Sequence, residues 1–475
     1  MYVKLGLFID GKWQYESNTY SDVLNPADET VLGKLPHATE EDLNKAVESA
    51  KSGFQIWKNT SPEERGEILI KIANIIEEKK QEIARIMTLE QGKILSEAVG
   101  EVERAVDSFQ WNGEQAKKIN DYIVADRPNG LKTYIKPQPV GVALGLTAWN
   151  FPIILIARKL APALAAGCSM ILKASEETPG TAVYLCKIFE QAGLPKGVVN
   201  LVFGVPSDIS DFLFQKKEIR KVSFTGSVPV GKMLAAKAAS TLKRLTLELG
   251  GHSPAIVAED ANLEKTLDIL SGFKFRNAGQ VCIAPSRFFI HDKIYDQMLD
   301  GFVKRAKNIK LGNGLDETTT MGPMANERRL DAMSGFVEDA TNKGANIVTG
   351  GRRYGNSGYF WEPTIIENVS KDSEMLNTEI FGPIMPLIKY HDYDEAIDEA
   401  NRLDYGLASY VYAEDKKLKD KLSTDMQAGG VSVNSAAPMH TDIPYGGFKE
   451  SGIGYEGGQE AIDSYMHKKN INIMN

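Results

Sequence analysis

Three features of this chain have residue types and spacing that suit chemistry: a cysteine, a glutamate and a glycine-rich loop. Cys282 closes the run Phe275-Arg276-Asn277-Ala278-Gly279-Gln280-Val281-Cys282, and Ala284-Pro285 breaks the chain just beyond it. Glycine and short polar residues let backbone approach a substrate there, so the thiol is either a nucleophile or buried filler. The other two cysteines, Cys168 after Ala165-Ala166-Gly167 and Cys186 beside Leu185, read as packing residues. Glu248 lies between Leu247 and Leu249. A carboxylate among apolar neighbours is costly to desolvate unless it is paired or used, and burial lifts its pKa toward that of a general base. On an alternating strand the same residue would simply face water.

The loop Phe224-Thr225-Gly226-Ser227-Val228-Pro229-Val230-Gly231-Lys232 joins a strand pattern to a helix pattern. Free amides at such a helix start suit a phosphate. Gly226 with Gly231-Lys232 comes within one residue of P-loop spacing, but Met233 stands where the Mg²⁺-binding hydroxyl is needed, and the loop does not match GxGxxG. A modified dinucleotide site or a tight strand-to-helix turn remains. Three cysteines, odd in number and without a CxxC pair, argue against structural zinc and a disulfide framework, so no metal is expected.

Groups so far apart in sequence need a large scaffold to meet. The chain has 475 residues, 43% hydrophobic and 25% charged, which is too long for one ordinary core and points to two or three domains. Helix starts are written at Thr39 with Asp42 and at Ser61-Pro62-Glu63-Glu64. A long helical stretch is expected over residues 82–120, then a hairpin over 122–136 turning at Pro128-Asn129-Gly130. From residue 140 strand and helix patterns alternate: strands at 140–146, 169–173, 198–202 and 221–224, with helices between them. That order predicts right-handed βαβ units and a mainly parallel sheet. A second α/β pattern begins near Gly250-Gly251, with strands at 255–257, 286–290, 386–390, 409–412 and 430–434. A cleft between two such units is the natural place for the chemistry.

Lys and Arg number 55 against 63 Asp and Glu, a balance of −8, and no run of five or six basic residues occurs. Nucleic acid and anionic membranes are therefore poor partners. The start Met1-Tyr2-Val3-Lys4-Leu5 lacks the apolar core of a signal peptide. The uncharged stretch 137–157 is interrupted by Pro139, Gly141, Gly145, Asn150 and Pro152, so it reads as buried strand and loop, not as a membrane span. A cytoplasmic protein is expected.

Taken together, the motifs resemble the aldehyde dehydrogenase superfamily over essentially the whole chain. The strings, in order, are Thr147-Ala148-Trp149-Asn150-Phe151-Pro152, Lys173-Ala174-Ser175-Glu176-Glu177-Thr178-Pro179, Phe224-Thr225-Gly226-Ser227 and Leu247-Glu248-Leu249-Gly250-Gly251. Gly279-Gln280-Val281-Cys282, Glu379-Ile380-Phe381-Gly382-Pro383 and Pro444-Tyr445-Gly446-Gly447-Phe448-Lys449-Glu450-Ser451-Gly452 complete the set. Ile156-Ala157-Arg158-Lys159 and Phe275-Arg276-Asn277 are most similar to the succinate-semialdehyde dehydrogenase branch.

The resemblance implies an α/β fold: a Rossmann-like cofactor domain (residues 1–120 and 140–250), a catalytic domain (251–445) and a small β oligomerisation element (121–139 and 446–475) that makes a homodimer or homotetramer. It implies Cys282 as nucleophile, Asn150 with the Cys282 backbone N–H as oxyanion hole, and Glu248 as the base that activates water. For the cofactor it implies Trp149, Gly226 and Ser227 at the pyrophosphate, Lys173, Ser175 and Glu176 at the adenosine end, and Glu379 and Phe381 at the nicotinamide end. Glu176 beside the ribose favours NAD, with NADP as second cofactor. Arg158 and Arg276 are the implied clamp for a substrate carboxylate, which makes succinate semialdehyde the first choice. The alternatives are glutarate semialdehyde or a neutral aliphatic aldehyde, and, from another class, a P-loop-like nucleotide binder. Two departures stand out: Tyr455-Glu456 follows Gly454 where the family often has Arg-Glu, and Ala284 excludes a two-cysteine redox switch.

Overall fold

The computed structural model describes residues 2–126, 130–436 and 439–474. Two sheets carry the architecture. The first has five parallel strands in the spatial order Val199–Val202, Ser169–Lys173, Val142–Leu146, Ile219–Thr225, Arg244–Glu248. Leu7–Ile9 pairs antiparallel with one outer strand and Gly452–Ile453 with the other. The chain starts the parallel part of this sheet in the middle, at Val142–Leu146, builds two strands outward, then returns to the other side. The strands on either side of that reversal leave a crevice at their carboxyl ends, where open α/β sheets bind ligands.

The second sheet runs Asn346–Thr349, Thr364–Glu367, Ile384–Tyr390, Pro285–His291, Ser253–Val257, Ala408–Tyr412, Gly430–Val433, parallel except for its first pair. Strands such as Val142–Leu146 and Ser253–Val257 are buried at every position, because helices cover both faces of a parallel sheet. Most buried apolar side chains of both sheets form one continuous cluster, and a smaller one around Ile256, Phe289 and Val411 packs on the second sheet, so the cleft between the sheets has rigid walls.

Local signals hold where they are strongest. Thr39 and Asp42, and likewise Ser61 and Glu64, form reciprocal capping boxes. Pro152 opens the helix Pro152–Ala166 instead of interrupting it, since the first turn has no use for its missing N–H. The helical stretch expected over 82–120 is two helices, Lys80–Gln91 and Leu95–Ala116. Gly92 separates them at φ +95°, and a Cβ there would stand 2.8 Å from Pro323 Cγ, a clash that nothing local announces.

Tyr122–Asp126 and Leu131–Pro139 pair as expected, although Pro128 and Asn129 of the turn lie outside the described residues. Met466–Met474 adds to Leu131–Pro139 along its whole length. Phe448–Lys449 pairs with Tyr405–Gly406 and Gly452–Ile453 belongs to the first sheet, so residues 446–474 contribute strands to three sheets. Among the described residues no helix is long and apolar enough to cross a membrane.

Candidate active site

A cavity of about 230 Å³ opens between the carboxyl edge of the first sheet and the amino edge of the second. Trp149, Asn150, Arg158, Gly226, Ser227, Glu248, Cys282, Glu379 and Phe381 all line it. Glu248 ends the strand Arg244–Glu248, and Cys282 precedes the strand Pro285–His291, so each sheet contributes one reactive group.

The cysteine loop is held by its own backbone. Asn277, Ala278 and Gly279 take φ of +49°, +50° and +71°, and a Cβ on Gly279 would lie 2.2 Å from Gly382 O. Two non-glycine residues in the left-handed region cost energy that the surroundings must offset. Gln280, fully buried, does much of this: its side-chain amide donates to Asn277 O at 3.0 Å and accepts from Ala325 N–H at 2.9 Å. Asn150 donates one N–H to Gln280 O at 3.2 Å, while its own carbonyl receives Lys93 Nζ and Asn277 Nδ2. Asn150 lines the cavity, and its side-chain amide has a second N–H beyond the one given to Gln280 O.

Both reactive groups hold their protons tightly. Burial, then the carboxylates of Glu379 and Glu248, push the Cys282 thiol up to about 12, with Arg158 pulling the other way. Glu248 is buried, and neither carboxylate oxygen has a hydrogen-bond partner. Burial and then Glu456 raise it well above the usual carboxylate range, against Lys159 and Arg158. The solvated alternative for Glu248 is thus excluded. Lys159 and Glu456 form a buried ion pair at 2.5 Å, with Thr225 Oγ1 2.7 Å from the same ammonium. Cys168 and Cys186 are buried in the core with raised thiol pKa values and do not reach the cavity.

The nucleotide half of the cleft fits a nicotinamide dinucleotide. Ser227 caps the helix Val228–Ala239 without its hydroxyl bonding to that helix, leaving the hydroxyl and first-turn amides for a phosphate. A Cβ on Gly250 would stand 2.5 Å from Glu379 Oε2, so only glycine leaves that carboxylate its place. Glu379 accepts the Gly251 N–H at 3.1 Å and is pushed up to about 7 by burial. Trp149 and Phe381 meet edge to face, 5.6 Å between ring centroids, and the Arg329 guanidinium holds the Ile380 and Phe381 carbonyls of a turn at φ +48°. Lys173, Ser175 and Glu176 lie outside the cavity lining, at the carboxyl end of Ser169–Lys173. Lys173 Nζ is 2.5 Å from Glu176 there. Lys232 does not act as a P-loop lysine: it is exposed and paired with Glu450.

The two arginines part company. Arg158 lines the cavity with its guanidinium 5.7 Å from the Tyr445 ring centroid. Arg276 is not among the lining residues and lies over Phe151 at 5.2 Å. Sequence reasoning missed the Lys159–Glu456 pair, although two adjacent cations, Arg158 and Lys159, inside the otherwise apolar helix Pro152–Ala166 signal a partner for the buried one. It also missed Lys274, brought down to about 7 by its burial, with the Glu379 carboxylate opposing.

A model of the aldehyde dehydrogenase family matches residues 13–471. The chain is similar to 3-sulfolactaldehyde dehydrogenase of Pseudomonas putida, 37% identical over 99% of this chain and 97% of that one. It is 38% identical to the mitochondrial succinate-semialdehyde dehydrogenase of Oryza sativa subsp. japonica, over 98% of this chain and 88% of that one. The crystal structure of succinate-semialdehyde dehydrogenase from Burkholderia pseudomallei superposes with a TM-score of 0.97 at 34% identity, covering 99% of this chain and 98% of that one.

Proposed function

This chain belongs to the aldehyde dehydrogenase family and is an NAD(P)-dependent aldehyde dehydrogenase; within that activity we propose succinate semialdehyde as its substrate and succinate as its product. The observation that carries this reading is Arg158. Its guanidinium shares one cavity with Cys282 and Glu248, and no carboxylate among the described residues pairs with it. An uncompensated guanidinium there suits an aldehyde whose far end is an anion. Arg276, over Phe151, is the second member of the clamp.

In this reading the Cys282 thiol passes its proton to the Glu248 carboxylate as Sγ bonds to the aldehyde carbon, the carbonyl π bond breaks, and the resulting oxyanion rests on the Asn150 side-chain amide and the Cys282 backbone N–H; the proton then leaves Glu248 to solvent. A bound dinucleotide would supply the hydride acceptor, and the thiohemiacetal carbon that gives up hydride becomes the carbonyl carbon of the Cys282 thioester. Glu248 takes a proton from water, whose oxygen attacks the thioester and frees Cys282 with the carboxylic acid. Lys159 and Glu456 set the charge that Glu248 feels.

Glu176 supports NAD over NADP, since a 2′-phosphate would meet its charge at close range. We assign cofactor binding to residues 1–120 and 140–250, catalysis to 251–445, and assembly to the hairpin with the terminal strand. Tyr122, Ile123, Ile473 and Met474 are exposed on that small sheet, whose two strands at its margins each have a free edge among the described residues. Such edges favour pairing with a second copy, as a homodimer or homotetramer in the cytoplasm. Light scattering at micromolar concentration tests the assembly, and a monomer would refute it.

Initial rates of NADH and NADPH formation with succinate semialdehyde, glutarate semialdehyde, 3-sulfolactaldehyde and butyraldehyde test the substrate. The reading requires the highest kcat/KM for succinate semialdehyde. Butyraldehyde turnover of equal efficiency would remove the anion pocket from the account.

A further inference from the structure

Resting on the oxyanion-hole reading of Asn150 above, we infer that the buried ion pair Lys93–Glu101 is the positioning device for that hole. Lys93 holds the Asn150 backbone, and Glu101 holds the start of the helix that follows it. Lys93 stands on the link Gly92-Lys93-Ile94 between the helices Lys80–Gln91 and Leu95–Ala116, and Glu101 lies within the second of them. Both side chains are buried, with ammonium and carboxylate 2.5 Å apart. Neither is among the residues that line the cavity, so the pair acts through Asn150.

The contacts are direct. Lys93 Nζ donates to Asn150 O at 2.9 Å and sits 4.2 Å from the centroid of the Phe151 ring. The carboxylate divides its two oxygens. Oε2 takes the ammonium, and Oε1 accepts the N–H groups of Ile153 and Ile154 at 3.0 and 3.2 Å. One pair thereby holds the segment 150–154 at a carbonyl, a ring and two amides. Asn150 O also accepts from Asn277 Nδ2 at 3.0 Å, in the loop that carries Cys282. The Asn150 side chain gives an N–H to Gln280 O of the same loop at 3.2 Å. Lys93 and the cysteine loop thus converge on one residue, and the direction of the Asn150 amide relative to Cys282 depends on both. A buried ion pair is weak support for stability, because desolvation offsets its attraction. What this one supplies is direction: a charge-assisted hydrogen bond on the backbone of a residue whose side chain has to be held within about 0.5 Å.

The test measures the first-turnover rate of NADH formation with saturating butyraldehyde, which has no tail charge, in Lys93→Met, Asn150→Ala and the double variant. Each is first shown by NADH fluorescence to keep its cofactor dissociation constant. Should Lys93→Met be unstable, Lys93→Met/Glu101→Gln takes its place, since no lone charge remains and Gln still accepts from the Ile153 and Ile154 amides. Removing the ammonium should lower the first-turnover rate about 10–100-fold and change KM little. The loss should vanish in the Asn150→Ala background, because Lys93 acts through Asn150. An unchanged rate overturns the role. So does a loss that persists in full beside Asn150→Ala, which is what a general structural defect would give. A wild-type rate in Asn150→Ala alone removes the oxyanion reading and the pair's role with it, a result recognisable without any Lys93 variant.

Discussion

Lys159 Nζ lies 2.5 Å from Glu456 Oε1 across 297 positions of sequence, and this buried pair flanks Glu248 with one charge of each sign. The carboxylate raises the Glu248 pKa and the ammonium lowers it, so the pair sets the proton affinity of Glu248.

That relationship predicts opposite pH shifts in two variants. Protonated Glu248 cannot take a proton from water, so the acid limb of deacylation follows its pKa. Glu456→Gln removes the charge that raises it and should move the limb to lower pH. Lys159→Met removes a charge that lowers it and should move the limb to higher pH. Breaking a buried pair costs about 3–5 kcal/mol, so profiles belong well below each variant's melting temperature. Shifts of the reverse sign would detach the pair from Glu248.

The raised Cys282 thiol predicts slow alkylation in the free enzyme. With a pKa pushed up to about 12, its thiolate fraction is small at neutral pH and rises roughly tenfold per pH unit well into the alkaline range. Mass-mapped iodoacetamide rates should climb without a plateau as far as the fold persists. A plateau near about pH 8, an ordinary thiol value, would place Cys282 in a more polar setting than its neighbours imply.

Substituting the two reactive groups should separate the half-reactions. Cys282→Ala should abolish aldehyde oxidation and still bind cofactor. Glu248→Gln should stall at the thioester, so a burst of about one NADH per active site survives while steady turnover is lost. Loss of the burst as well would mean that Glu248 acts mainly on the thiol.

Arg158→Ala and Arg276→Ala should each raise KM for succinate semialdehyde far more than for butyraldehyde. A charge-assisted hydrogen bond is worth roughly 1.5–3 kcal/mol, or roughly 10–200-fold. Because Arg158 lines the cavity and Arg276 does not, the loss should be the greater for Arg158. Equal losses on both aldehydes would indicate a structural role.

Cofactor choice should turn on Glu176. Wild type is expected to give the higher kcat/KM with NAD, and Glu176→Gln should narrow the gap, because Lys173 is then freed to meet a 2′-phosphate. A wild-type preference for NADP would show that Glu176 turns away from the ribose.

Much of the scaffold is legible in the sequence because its determinants are short-range. The capping boxes at Thr39 and Ser61 join residues three apart, and alternating strand and helix patterns encode a parallel sheet whose reversal point makes the crevice. Glycine at 279 is written for a turn that admits no Cβ, and with Cys282 three residues on it marks the loop that brings this thiol to the cavity. Other features depend on partners hundreds of residues away. Gly92, at φ +95°, divides what reads as one helix, and prolines from two distant segments stand where a Cβ would go. Whether Glu248 faces water or core cannot be read from an alternating pattern, and the packing of the two sheets buried it. Arg158 and Arg276 look equivalent as sequence strings, yet only Arg158 lines the cavity. Hydrogen bonds within a turn or cap are fixed by chain geometry, so the sequence alone determined the elements and their reactive residue types. Burial and charge pairing depend on which distant surfaces meet, so the tertiary structure alone decided the environment of Glu248, its Lys159–Glu456 flank and the separate places of the two arginines.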